Sequence, residues 1–186
     1  PYPTERAALT QAARDDGREG TVYPFFYPPP ALPMFGWTLP LSLVGGHRLM
    51  AVMNLGALVG LGLLLARWLR APLWLPLLLL ACSSGAVETA RLGQVNGVLA
   101  LLVGLGASRG RAAPIAAAAL LKMSPAVLLI RFAAARRWRE LLVGLGLGAG
   151  GLAAALMVVD LALFRRFFLE VLPGLSDGGW NGLGVP

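Results

Sequence analysis

Residues 109–139 read RGRAAPIAAAALLKMSPAVLLIRFAAARRWR. Two apolar runs, Ala112–Leu121 and Ala126–Ala135, are separated by Lys122-Met123-Ser124-Pro125 and flanked by Arg109/Arg111 and Arg136/Arg137/Arg139. As one helix over 112–135, the stretch buries Lys122 at mid-depth of a membrane and sends the two arginine clusters to opposite sides. As a broken pair, each arm is about 15 Å long, too short to cross alone, and both clusters share one side. Pro125 interrupts a continuous helix. The broken pair is the favoured reading, with the single span as its rival.

The rest of the chain shares this character. Its 186 residues have a mean hydropathy of +0.71, with 57% hydrophobic and 13% charged residues. Soluble domains carry about 25% charged residues. The composition excludes an ordinary soluble enzyme, a disordered tail and a disulfide scaffold, and leaves an integral membrane protein. The net charge of +7 is almost wholly arginine, because Lys122 is the single lysine. The arginines sit in short clusters between apolar runs, which is the pattern of membrane-flanking loops rather than a nucleic-acid-binding face. Cys82 and His47 are each alone, so no disulfide, His/Cys metal site or cofactor is expected. The chain begins at Pro1, without a signal peptide, and is expected to be a piece of a longer protein.

Residues 4–18 predict a short helix, capped by Thr4 and ended by Gly17 and Gly20. Residues 22–30 hold four prolines and four aromatics, unsuited to a helix interior and suited to the lipid–water interface. Residues 31–45 are apolar but contain Pro33 and Pro40, and read as a juxtamembrane or partly inserted helix, or else as a true span. Apolar segments follow at Leu49–Ala66, Leu73–Val87, Val98–Ala107, Ala112–Leu121, Ala126–Ala135 and Leu141–Phe164. The predicted fold is an all-α polytopic transmembrane bundle of about six segments plus the juxtamembrane helix. Residues 1–48 form an extracytoplasmic loop with that helix, 49–164 the bundle, and 165–186 a second extracytoplasmic loop. With residues 1–48 outside, Arg67/Arg70, Arg109/Arg111 and Arg136/Arg137/Arg139 all become cytoplasmic, as the positive-inside rule requires. Glu88, Arg91 and Lys122 gather on the opposite face.

An ionisable group at membrane depth is costly, which makes it a functional candidate by default. Glu88 and Arg91 are spaced i,i+3 and form either a structural ion pair or part of a binding site, in which Arg91 meets a phosphate and Gln94 and Asn96 bond sugar hydroxyls. Lys122 is either a phosphate-binding point charge or a snorkelling helix-end lysine. Asp160 reads as an interfacial carboxylate, and His47 beside Arg48 as an interface marker. Gly146-x-Gly148-x-x-Gly151 matches a dinucleotide fingerprint in form, but it lies inside an apolar span and is assigned to helix packing.

The order Tyr27-Pro28-Pro29, Gly93-Gln94-x-Asn96, Lys122-x-x-Pro125 and Arg136-Arg137-Trp138-Arg139 resembles glycosyltransferase family 87. Val171-Leu172-Pro173 with Trp180-Asn181 is similar to the loop after that family's seventh helix. The resemblance implies a GT-C fold in the cell (plasma) membrane. It implies transfer of a hexose, mannose above all, from a polyprenyl-phosphate donor to a glycolipid or glycan acceptor on the extracytoplasmic face. Lys122, Arg91, Glu88, Gln94 and Asn96 are the candidate substrate-binding residues, and the catalytic aspartate is expected upstream of Pro1. Membrane lipid is an expected partner and nucleic acid is not. A polytopic transporter or a non-catalytic lipid-binding protein is the competing class. Substrate flux without glycosidic-bond formation distinguishes it.

Overall fold

The computed structural model describes residues 11, 14–15, 27–38, 40–92 and 94–173. The helix expected over 4–18 lies largely outside them, as do Trp180 and Asn181. Every regular element among the described residues is helical. In order they are α1 (Ala31–Met34), α2 (Leu43–Leu69), α3 (Trp74–Ala81), α4 (Ser84–Leu92), α5 (Asn96–Arg109), α6 (Ala112–Leu121), α7 (Ile130–Ala134), α8 (Trp138–Leu156) and α9 (Leu161–Arg166). A 3₁₀ turn covers Gly36–Thr38, another (Ser124–Leu129) leads into α7, and a π turn (Phe167–Val171) follows α9.

Local chemistry sets where these helices start and stop. Ser42 caps α2, its hydroxyl accepting from the Gly45 N–H at 3.1 Å. The expected Leu73–Val87 segment is instead two helices. The Ser83 hydroxyl donates to the Leu80 carbonyl at 2.8 Å, ending α3, and accepts from the Ala86 N–H at 3.2 Å, starting α4. The expected Leu141–Phe164 segment also divides. Helix α8 stops at Leu156, and the Asp160 carboxylate accepts from the Ala162 N–H at 2.8 Å to open α9. Asp160, expected as an interfacial carboxylate, is an N-cap.

Among the described residues two stretches, Val44–Leu69 and Trp138–Val158, are long and apolar enough to cross a membrane. They are not core helices of a soluble protein, because only 33% and 11% of their apolar windows are buried. Large side chains such as Leu55 (64% exposed) and Leu142 (68% exposed) face outward. A water-soluble surface does not carry apolar faces of this extent, and lipid is the solvent that fits them. The remaining apolar helices are shorter.

Glycines fix how the helices lie together. A side chain at Gly97 would meet Asn54, one at Gly60 would meet Leu101, and one at Gly104 would meet Leu61 and Leu64. Helices α2 and α5 thus run parallel and in close contact. The chain then reverses at Gly110 (φ 61°), and Gly106 packs on Ile115 of α6. Ala112, Ile115, Leu129 and Phe132 form one buried cluster with Leu141 beside it. In a straight helix Ala112 and Phe132 would stand about 30 Å apart. Residues 112–135 are therefore broken at Lys122 and folded back on themselves, and the single 24-residue span does not form. Helix α8 runs parallel to α6, with Gly144 against Ala112 and Leu129, and Gly151 against Leu120. Close packing accounts for these two glycines, while Gly146, Gly148 and Gly150 face open space.

Candidate functional site

The alternating helix directions give the bundle two unlike ends. At one end Arg111 pairs with Glu140 (Nη1 to Oε1, 3.1 Å), whose second oxygen accepts from the Ala112 N–H at 3.1 Å. The same carboxylate so neutralises an arginine and satisfies an otherwise unpaired donor at the start of α6. Arg137 lies against the Gly110 turn, and the Arg131 and Arg137 guanidinium carbons each stand 5.7 Å from the Phe132 ring centroid. The parallel register of α2 and α5 brings Arg67 and Arg70 to the end where Arg109 sits. All three expected arginine clusters thus converge.

Polar backbone and amide groups gather at the other end. The nearly buried Asn54 of α2 (2% exposed) donates from Nδ2 to the Gln94 carbonyl at 2.6 Å and to the Met50 carbonyl at 2.9 Å. Its Oδ1 accepts from the Gly97 N–H at 3.0 Å. The Tyr27 hydroxyl accepts from the Val95 N–H at 3.2 Å, and its ring packs on Phe35 with centroids 5.5 Å apart. Burial pushes the Tyr27 phenol above its usual range, with the Val95 hydrogen bond pulling the other way. The short stretch from Gln94 to Gly97 is held on both sides. Asn96 Nδ2 donates to Gln94 Oε1 at 2.8 Å, so these two candidates are bonded to each other.

Lys122 lies at this end as well. It follows the last residue of α6, in extended conformation, with its N–H bonded to the Ala118 carbonyl at 2.9 Å and its side chain exposed. The preceding Leu121 shares a buried cluster with Met50, Val95, Leu99 and Ala118. Residues 91 and 88 belong to α4, whose end at Leu92 leads directly into this region, while the side chains of Arg91 and Glu88 lie outside the described residues. Helix α1 meets the last described turns of the chain. Leu32 of α1 packs on Phe167 and Val171 and on Ala155, Val159 and Phe164.

Asn54 and Gly97 are the residues that sequence reasoning missed. The signal for Asn54 was present, since it is the one hydrogen-bonding side chain in the run Leu49–Ala66. Its partners lie 40 and 43 positions away, which no local pattern reveals. Among the described residues no three His, Cys, Asp or Glu side chains gather into a metal-binding group. A cation and paired amides at one end of the bundle are groups suited to an anionic ligand carrying hydroxyls.

Two long apolar helices with outward-facing side chains, packed with shorter helices, fit a helical membrane protein. Residues 25–183 match glycosyltransferase family 87, and the chain belongs to that family. No curated protein and no solved structure matches the chain. Family membership makes it a membrane glycosyltransferase, which takes a sugar donor and an acceptor.

Proposed function

We propose that the protein transfers a hexose, mannose first among the candidates, from a polyprenyl-phosphate donor to a glycolipid or glycan acceptor on the extracytoplasmic face of the cell membrane. One observation carries this reading. Lys122 and the Gln94–Asn96 pair stand at the end of the bundle opposite the arginine clusters, and arginine clusters mark the cytoplasmic side. The broken helices supply the geometry. The ten residues of α6 span about 15 Å and the fourteen of α5 about 21 Å, against about 40 Å for the 27 residues of α2. Lys122 and Gln94 therefore lie below the outer end of α2, within reach of a phosphate whose lipid tail stays in the membrane. In this reading Lys122 and Arg91 bind the donor phosphate, Gln94 and Asn96 bind sugar hydroxyls, and Glu88 orients Arg91. The bundle crosses the membrane about six times, with the short helices crossing as packed neighbours of the long ones.

The test is transfer from radiolabelled polyprenyl-phosphate-mannose to membrane glycolipid by the intact protein. Lys122 is exposed, so Lys122→Ala is expected to leave the fold intact. Loss of a charged hydrogen bond to the donor should raise its KM about 10- to 100-fold. Unchanged activity at limiting donor removes Lys122 from the site.

A further inference from the structure

We infer that Asn54 is a positioning residue for the sugar-binding loop, acting through Gln94 and Asn96 rather than touching substrate. The inference rests on the function proposed above. Helix α5 starts without a side-chain cap of its own, since Val95 at the N-cap position offers none. Asn54 supplies that cap from a different helix. Its Oδ1 takes the Gly97 N–H (3.0 Å), an orphan donor of the first turn, and its Nδ2 takes the Gln94 carbonyl (2.6 Å). One amide thus fixes the backbone on both sides of Val95 and Asn96. Gly97 makes the approach possible, because a side chain there would stand 2.8 Å from Asn54 Oδ1 and 3.0 Å from the Asn54 carbonyl oxygen.

This bonding pattern has a chemical consequence. The loop needs no backbone help from Gln94 or Asn96 side chains, which are left to bond each other at 2.8 Å. The Gln94 Nε2 donor and the Asn96 Oδ1 acceptor then remain for hydroxyl groups of a ligand. A wholly apolar residue at 54 would leave the Gly97 N–H and the Gln94 carbonyl without this partner. The loop would shift to recover water or to recruit the two amide side chains, and the ligand would lose them.

The experiment is a coupling measurement with polyprenyl-phosphate-mannose as the probe. Asn54→Leu is expected to raise the donor KM about tenfold with kcat within about twofold. In a Gln94→Ala/Asn96→Ala background the same change should raise KM no further, because the groups it positions are gone. An unchanged KM in Asn54→Leu, or an equal rise in both backgrounds, overturns the inference. If Asn54→Leu does not accumulate as folded protein, Asn54→Asp is read identically, since it keeps the acceptor for Gly97 and loses the donor to Gln94. Failure of the functional reading looks different: Gln94→Ala/Asn96→Ala alone then leaves KM unchanged, or the parent protein shows no turnover. In either case the clamp is read from amide hydrogen exchange over 94–99. No faster exchange in the Asn54 variant would overturn it.

Discussion

The two ends of this bundle solve the problem of charge near lipid in opposite ways. At the arginine end, chain reversals are short and the cations face outward. Two of the turns use left-handed backbone at arginine itself, Arg70 and Arg136, each with φ 54°. One carboxylate, Glu140, ties α6 to α8. At the opposite end the helices stop early, and the backbone groups of residues 94–97 are satisfied by a buried asparagine and a half-buried tyrosine. Outward charge there stays in contact with water, whereas inward polarity here costs stability unless it is fully bonded.

The contrast is most severely tested by its sidedness. In a Cys82→Ser background, which removes the exposed native thiol, cysteines at positions 108 and 135 should react with an impermeant thiol reagent from the same side. A cysteine at position 123 should react from the other side alone. This is an all-or-none outcome, and labelling of 108 and 135 from opposite sides would break the comparison outright. Next in size is the apolar support of the arginine end. Phe132 is 1% exposed in its cluster, so Phe132→Ala should lower stability by about 3 kcal/mol, measured by denaturation in detergent. Little loss there would mean that the arginine end is not held by that cluster.

The smallest effect is the most diagnostic of the polar end. Tyr27→Phe strands the Val95 N–H and should cost about 1–2 kcal/mol at neutral pH. The fold also holds the Tyr27 proton more tightly than the usual value of 10.0 allows. That contribution is complete below pH 10.0 and is lost as the pH rises past it towards the folded-state value. Tyr27→Phe should therefore flatten the alkaline limb of the stability profile. An unchanged limb would show that another group governs it.

Much of the fold was legible because the decisive residues interrupt otherwise uniform apolar runs. Lys122-Met123-Ser124-Pro125 marks a break by charge and by a missing N–H, and the spacing of the arginines announces which ends meet. Ser83 and Asp160 were harder to read as breaks. A serine or aspartate beside an apolar run becomes a cap only when the backbone turns to meet it. The candidate site was legible as a set of residue types. Gln94, Asn96 and Lys122 do come to one end, but nothing local showed that the first two bond each other or that Asn54 holds them. The stretch that reads as a cluster of ligands in the sequence is, in the fold, a short loop whose shape is set from another helix.

The Glu140 carboxylate has a bearing on biosynthesis. Ten residues of α6 and the turn-rich return through α7 are each too short to be retained by a bilayer as they leave the ribosome. The first backbone donor of α6 and the neighbouring Arg111 find their acid only when the first turn of α8 has been made. The hairpin's cap thus comes from a residue 28 positions further along the chain, so the order of synthesis and the order of bonding part company at residue 140.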